Sequence, residues 1–230
     1  MANGKKVTPE FTNDLRKDIV KVPDIIRKEA SGIVIFGKKI RSIIFTTDIA
    51  IIKNTNADAI IAVYPFTPHP AITQAIMSAA DIPVLCGVGG GLTQGVRCLN
   101  VAVHAEFQGA LGVVLNAPAP DGTVSMVKEH VAIPLIVTVV SEHTDITSRL
   151  EAGADIVNVS GGPKTAFIVR KIRDKFPDLP IIATGGTKDE QILETIEAGA
   201  NAVTYTPPSN GELFRIKMEH YREQENEKYF

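Results

Sequence analysis

Two short phrases recur along this sequence, and their spacing constrains the fold more than any other feature. Pro83, Pro134 and Pro180 each precede a short run of β-branched and small residues, at intervals of 51 and 46 residues. A phrase that begins with Gly-Ala recurs at 153–158 and 199–204, again 46 residues apart. A period of about two βα units indicates a chain built from alternating β-strands and α-helices.

The apolar runs around these phrases predict eight strands. They cover residues 40–45, 59–64, 84–87, 112–116, 135–140, 155–160, 181–184 and 202–206. Strands this apolar suit a parallel sheet that is covered by helices. We therefore predict an α/β fold, a single (β/α)8 TIM barrel, with its functional site at the C-terminal ends of the strands. An open doubly wound sheet is the alternative.

The first 31 residues predict an N-terminal helical extension. Thr8 followed by Pro9 is a typical helix start, and apolar residues at 11, 15 and 19 would form one stripe before Pro23. We expect this segment to plug the bottom of the barrel. A hairpin at 33–45 would follow, and its second arm, 40–45, would become the first barrel strand. The whole chain, 1–230, would then be one domain, with the helical plug at 1–31 and the barrel at 32–230.

Composition narrows the class of protein. Hydrophobic residues make up 44% of the chain and charged residues 22%, no apolar run is long enough to cross a membrane, and Cys86 and Cys98 are the only cysteines. We expect a cytoplasmic protein with reduced thiols and no membrane segment. Residues 1–41 are basic within a chain of net charge −2. A solvated helix surface explains this excess of positive charge, so we expect no nucleic-acid partner. We expect a homo-oligomer, because most soluble proteins of this kind assemble symmetrically.

Glycine pairs follow the sixth and seventh predicted strands, at 161–162 and 185–186. Glycine lets backbone N–H groups come close to an anion, and the positive end of the following helix points at the same place. The loop after the eighth strand commonly completes the phosphate site of this fold. The predicted phosphate-binding residues are Ser160, Gly161, Gly162, Gly185, Gly186, Ser209 and Asn210. Tight turns are the alternative explanation.

Titratable groups at predicted strand ends are the candidates for proton transfer. Glu142 and His143 follow the fifth strand, and Asp48 follows the first, where it could equally cap a helix. Asn116 and Asn158 end the fourth and sixth strands and could orient a substrate carbonyl or hydroxyl group. No predicted strand carries a lysine, which disfavours Schiff-base chemistry. No spacing marks a metal site, and we predict none.

The last third of the chain resembles a known family. Pro163-Lys164, the segments 180–186 and 189–191, and the phrase at 197–204 are similar to the glycerol-3-phosphate-responsive antiterminators, within the ribulose-phosphate-binding barrels. This resemblance implies a TIM barrel with a phosphate site at Gly161, Gly162, Gly185 and Gly186. The hairpin before the first barrel strand resembles thiazole synthases and flavin-dependent barrels. The glycine-rich stretch 87–91 matches no named family with a function.

These observations predict an enzyme that acts on a small phosphorylated metabolite in an isomerase, lyase, synthase or hydrolase step. Glu142, His143 or Asp48 would transfer protons, and no cofactor is required. Two alternatives remain. One is an oxidoreductase that holds FMN on the same glycine loops. The other is a non-catalytic sensor of a phosphorylated metabolite, with a basic N-terminal segment that binds RNA.

Overall fold

The computed structural model describes residue 9 and residues 11–228. Eight parallel strands close into a barrel, which confirms the predicted TIM barrel: each strand pairs with the next along the chain, and the last pairs with the first. The barrel strands are β3 (Ser42–Phe45), β4 (Ala59–Ala62), β5 (Val84–Gly89), β6 (Gly112–Leu115), β7 (Leu135–Val139), β8 (Ile156–Val159), β9 (Ile181–Thr184) and β10 (Ala202–Tyr205). Parallel pairing throughout places all eight C-terminal strand ends at one mouth of the barrel.

Helices follow the strands on the outside of the barrel. They are α3 (Ile49–Lys53), α4 (Pro70–Ala79), α5 (Val96–Phe107), α6 (Asp121–Lys128), α7 (Ile146–Glu151), α8 (Thr165–Lys175), α9 (Asp189–Glu197) and α10 (Asn210–Glu227). A short 3-10 turn, Gly162–Lys164, precedes α8. None of the helices in the described part of the chain is long and apolar enough to cross a membrane.

Successive side chains along each strand point alternately into the barrel interior and toward the helix-covered outer face. In β10, Ala202 packs in the interior cluster with Ile43 and Ile182, whereas the next residue, Val203, packs outward against α9. The period of two in side-chain direction explains this arrangement. The interior is therefore filled by branched apolar side chains along most of its depth, and it becomes polar only near the mouth.

A hairpin closes the bottom of the barrel. It consists of β1 (Ile33–Ile35) and β2 (Lys38–Ile40), which pair antiparallel. Phe36 and Gly37 at its turn have φ values of 47° and 78°, as the two-residue turns that suit strand twist require. Ile33, Ile35 and Ile40 pack into the interior cluster. A hairpin is thus present, but its second arm is β2 and not the first barrel strand, because Arg41 separates β2 from β3.

The N-terminal segment differs from its prediction. The described residues before α1 (Asp14–Lys17) are not helical. The four-residue helix begins only after Asn13, whose side chain caps it by accepting the N–H of Arg16. Phe11, expected in an apolar stripe, is 94% exposed. In α2 (Asp24–Glu29), Ile26 packs against α9 and β10 on the outer face of the barrel.

The expected helical plug is therefore replaced by the hairpin. Apolar residues at 11, 15 and 19 suggested a continuous helix, but the chain instead forms an isolated bridge between Val20 and Thr55 before it enters α2. Thr8, the proposed cap, lies outside the described residues. The assignment of residues 1–230 to a single domain stays a prediction.

Candidate ligand-binding site at the barrel mouth

The inward-facing residues near the C-terminal strand ends enclose a cavity of about 250 Å³. Its lining consists of Phe45, Ile61, Val63, Asn116, Thr138, Asn158, Ser160, Thr184, Thr204 and Thr206. Every polar side chain in this set is an amide or a hydroxyl, and none carries a charge. We call this set the lumen layer.

Hydrogen bonds connect the polar members of the lumen layer from strand to strand. Asn158 Nδ2 donates to Thr138 Oγ1 over 3.3 Å, and Thr138 Oγ1 donates to Asn116 Oδ1 over 3.2 Å. On the opposite side, Thr184 Oγ1 donates to Ser160 Oγ over 3.4 Å. The parallel register of β7 and β8 places Thr138 directly beside Asn158. Each contact is long, so the layer is held together by weak bonds.

Two oxygen atoms of the lumen layer have no hydrogen-bond partner among the described residues. They are Asn158 Oδ1 and Thr204 Oγ1, on side chains of residues that are 8% and 5% exposed. Buried polar atoms in proteins are nearly always paired, and leaving one unpaired costs about 1–3 kcal/mol. A polar ligand in the cavity would satisfy both atoms.

Three of the predicted site residues meet in this cavity: Asn116, Asn158 and Ser160. Sequence reasoning missed Thr138, Thr184, Thr204 and Thr206, which complete the polar ring. A signal was present, because a threonine at an inward register position of an otherwise apolar strand interrupts the pattern of the barrel core. That signal becomes readable only when the inward register is known.

Asp48 caps α3 and does not line the lumen layer. Its carboxylate accepts the backbone N–H groups of Ala50 over 2.8 Å and Ile51 over 3.2 Å. These bonds satisfy two donors of the first turn, which is the alternative that the sequence left open. Its predicted catalytic role therefore has no support from its position.

Glu142 and His143 lie on the outside of the barrel mouth. They border a separate surface cavity of about 360 Å³ beside α7 and α8. Glu142 accepts hydrogen bonds from Lys164 Nζ at 3.0 and 3.1 Å, and this contact holds the pKa of its carboxyl below the usual range. The side chain of His143 is 84% exposed. The structure does not bring either residue to the lumen layer.

The glycines of the predicted phosphate site have packing roles. A Cβ on Gly161 would lie 2.4 Å from Ile168 Cδ1, and a Cβ on Gly185 would lie 2.5 Å from Val203 Cγ1. Their N–H groups already donate, Gly161 to Thr165 Oγ1 and Gly185 to the Thr204 carbonyl. Gly162 and Gly186 have positive φ values of 58° and 82°. Turn geometry thus explains these glycines, and the phosphate site stays a prediction.

Ser209 and Asn210 begin α10. The hydroxyl of Ser209 accepts the N–H of Glu212 over 3.2 Å, and the N–H of Ser209 donates to the Glu212 carboxylate over 2.8 Å, a reciprocal capping box. Asn210 lines a groove against α3 and the N-terminal segment. Neither residue lines the lumen layer.

A second cavity of about 370 Å³ adjoins the lumen layer. The β4–α4 loop (63–68) and a glycine-rich segment (87–91), which comprises the end of β5 and the glycine-rich loop that follows it, form its walls. Val63 and Asn116 line both cavities. Gly90 has a φ of 117°, and a Cβ there would lie 2.3 Å from the Asn116 carbonyl oxygen. The glycine-rich loop thus lets the backbone pass beside Asn116. We call this cavity the mouth cleft.

The mouth cleft is largely apolar at its rim. Phe66 and Leu92, on the two facing loops, are 77% and 102% exposed. Tyr64 is its one phenolic group, and the Tyr64 oxygen accepts the backbone N–H of His69 over 2.7 Å. That bond leaves the phenolic proton of Tyr64 available to a ligand.

The lining residues limit the chemistry of this site. Among the described residues, no group of three or more His, Cys, Asp or Glu side chains is placed to hold a metal ion. The lumen layer offers no lysine for a Schiff base. Cys86 faces the helix layer, and burial raises the pKa of its thiol to about 12, which makes it a poor nucleophile.

Comparison with known proteins identifies the fold class. No family model matches the chain, and no curated protein sequence matches it. A putative phosphonomutase from Burkholderia cenocepacia J2315 is similar in structure, with a TM-score of 0.62 and 14% identity, over 88% of this chain and 98% of that chain. A phosphonopyruvate hydrolase in complex with oxalate and Mg²⁺ gives a TM-score of 0.61 at 15% identity, over 83% and 82% of the two chains.

A third similar structure is that of a protein named as a different enzyme. A putative dihydrodipicolinate synthetase from Pseudomonas aeruginosa gives a TM-score of 0.55 at 14% identity, over 72% of this chain and 69% of that chain. Identities this low show a shared (β/α)8 barrel and nothing finer, because this fold hosts many unrelated activities. Magnesium prefers carboxylate oxygens, and the lumen layer has none, so its residues do not fit a metal site of that kind.

Proposed function

We propose that this chain is an enzyme whose lumen layer binds the hydroxyl or carbonyl groups of a small polar metabolite. The observation that carries the proposal is the pair of unpartnered buried oxygens, Asn158 Oδ1 and Thr204 Oγ1. The amide oxygen of Asn158 would accept a ligand O–H or N–H, and the hydroxyl of Thr204 would donate or accept. The barrel neighbours named above are enzymes, which supports catalysis over simple binding.

The chemistry we propose is polarisation of a substrate oxygen. Uncharged donors fixed in a water-poor cavity stabilise an oxyanion or enolate that develops in the transition state, and each such donor is worth about 3–4 kcal/mol. The amide group of Asn116 and the unpartnered hydroxyl of Thr204 would supply these donors. Tyr64, in the adjoining mouth cleft, is the group we propose for proton transfer, because its own O–H is not used by its bond to His69. The step would be a lyase, isomerase or hydrolase reaction.

A phosphate on the same metabolite would lie at the rim. The turns at Gly162 and Gly186 stand at the start of α8 and α9, whose positive ends favour an anion. No lysine or arginine contributes to the lumen layer, so binding of the hydroxyl or carbonyl groups there does not depend on a phosphate at the rim.

Calorimetric titration tests the proposal with matched pairs of probes. Triose, tetrose and pentose sugars and polyols are each measured with and without a phosphate ester. We expect at least one probe to bind, and Asn158→Leu to abolish its binding. Thr195→Val is the control, because Thr195 is a buried residue of α9 that does not line the cavity, and its hydroxyl donates to the Gln191 carbonyl. Binding that Asn158→Leu leaves unchanged, or no binding by any probe, contradicts the proposal.

A non-catalytic sensor is the second candidate, and one observation favours it. The lumen layer contains no titratable side chain, so a ligand there would be held without an adjacent acid or base inside the lumen. Loss of turnover in Tyr64→Phe with unchanged binding supports the enzyme. Tight binding of a metabolite that the wild-type protein returns unchanged supports the sensor.

A further inference from the structure

The C-terminal helix α10 is the longest helix of the described chain, and it buries none of its 18 residues. Its length is about 27 Å at 1.5 Å per residue. Only its beginning is anchored: Leu213 packs at the edge of the core, and Lys217 forms an ion pair with Asp18. The rest of α10 makes no extensive contact with another described helix or strand.

One face of α10 carries an apolar stripe. Phe214, Met218 and Tyr221 recur at intervals of four and three residues, which places them on one side of the helix. Phe214 and Tyr221 are 66% and 57% exposed. Helices in proteins gain most of their stability from packing such a face, so a stripe left in water indicates that something covers it.

The charges on α10 are arranged asymmetrically. In the first half, Arg215 and Lys217 outnumber Glu212. The second half is acidic, with Glu219, Glu223, Glu225 and Glu227 against Arg222. Two copies of this helix that run antiparallel would place the basic half of each beside the acidic half of the other. A parallel pair would place like charges together.

We propose that α10 is a dimerisation helix, which packs antiparallel against α10 of a second copy of this chain. The two-fold axis passes near Met218, so that Phe214 of each copy meets Tyr221 of the other. The exposed parts of Phe214 and Tyr221 would form the aromatic centre of the contact. A stable interface buries roughly 800 Å² per partner, so the charged and apolar neighbours of the stripe would have to contribute the larger share.

Light scattering after size exclusion tests the proposal on the full-length protein. We expect a dimer for the wild type, and for Phe214→Glu a dissociation constant raised at least ~100-fold, because a charge would enter the centre of an apolar contact. Phe167→Glu is the matched control, since Phe167 is 58% exposed on α8, outside the stripe. Circular dichroism and thermal melting confirm that both variants fold.

Cysteine cross-linking then tests the orientation of the two helices. Met218→Cys lies near the proposed axis and should form an intermolecular disulfide, whereas Glu225→Cys should not, because antiparallel helices hold those two positions far apart. The native Cys86 and Cys98 are buried and do not interfere. Cross-linking at both positions indicates a parallel pair and contradicts the proposed geometry. A wild-type monomer at high micromolar concentration, or a dimer that Phe214→Glu leaves intact, overturns the proposal.

Discussion

Asn158 and Thr204 carry oxygen atoms that the fold buries without satisfying. Such atoms destabilise a protein, so their presence at the C-terminal end of a barrel, where this fold places its functional sites, supports the binding role that we propose for them. The nearby charged candidates have other partners: Asp48 caps a helix, and Glu142 pairs with Lys164. At the scale of single residues, the uncharged side chains are therefore the stronger site candidates.

Thr204→Val is expected to leave the free energy of unfolding unchanged or to raise it by up to ~1 kcal/mol, because it removes an unpaired buried hydroxyl while keeping the shape of the side chain. Thr195→Val should instead lower it by about 1 kcal/mol, because Thr195 Oγ1 donates to the Gln191 carbonyl. Urea unfolding of both variants makes the comparison. A larger loss in Thr204→Val than in Thr195→Val would show that Thr204 is satisfied within the fold.

Glu142→Gln is expected to leave ligand binding in the lumen layer unchanged and to affect stability in a pH-dependent way. The hydrogen bond from Lys164 lowers the pKa of Glu142 in the folded protein. Its stabilisation is therefore fully present above the ordinary glutamate pKa and is lost as pH falls through the lowered value. The difference in melting temperature between wild type and variant should vanish in acid. A difference that grows in acid would contradict this assignment.

At the scale of elements, the loops that follow the strands divide into two kinds. The loops after β8 and β9 use their glycines for packing and turn geometry, as the contacts of Gly161 and Gly185 show. The loop after β5 uses its glycines to approach Asn116 and to open the mouth cleft. Three glycine clusters that look alike in the sequence therefore have different consequences for the site.

Gly90→Ala is expected to destabilise the protein by more than ~1 kcal/mol, because the residue combines a positive φ with a close backbone neighbour. It should also displace Asn116 and weaken ligand binding. Gly122→Ala is the control, since a Cβ at this position in α6 meets nothing within 4 Å. Alanine there should stabilise the helix by roughly 0.5–1 kcal/mol. We expect the melting temperature to fall for Gly90→Ala and to rise for Gly122→Ala.

At the scale of the whole molecule, the barrel is closed below by the hairpin and open above at the lumen layer and mouth cleft. The interior is apolar from the hairpin upward and polar only in its last layer. This gradient confines a polar ligand to the mouth, because hydroxyl groups deeper in the barrel would find no hydrogen-bond partners.

Ile40→Ala is expected to lower the free energy of unfolding by about 2–5 kcal/mol, since the side chain fills the bottom of the barrel interior. Val34→Ala, on the same hairpin but 66% exposed, should change it by less than ~0.5 kcal/mol. Chemical denaturation measures both. Equal effects of the two substitutions would show that the hairpin does not plug the barrel.

The barrel could be predicted from the sequence because its signals are local. Proline before a β-branched run, and glycine before the next strand, repeat with the βα period, and each strand is apolar enough to be recognised alone. The same locality led to Asn116, Asn158 and Ser160, which end predicted strands. It also led to Glu142 and Asp48, because a residue at a strand end looks equally suitable whether its side chain points into the lumen or away from it.

The sequence by itself therefore determined the fold class, the strand order and the end of the barrel at which we look for the site. Only the tertiary structure decided which side chains meet there. Thr138, Thr184 and Thr204 face inward because of the shear and register of the closed sheet, a property of all eight strands together. The tertiary structure likewise decided that the hairpin fills the bottom of the barrel and that α10 is left largely uncovered, since packing depends on contacts between distant parts of the chain.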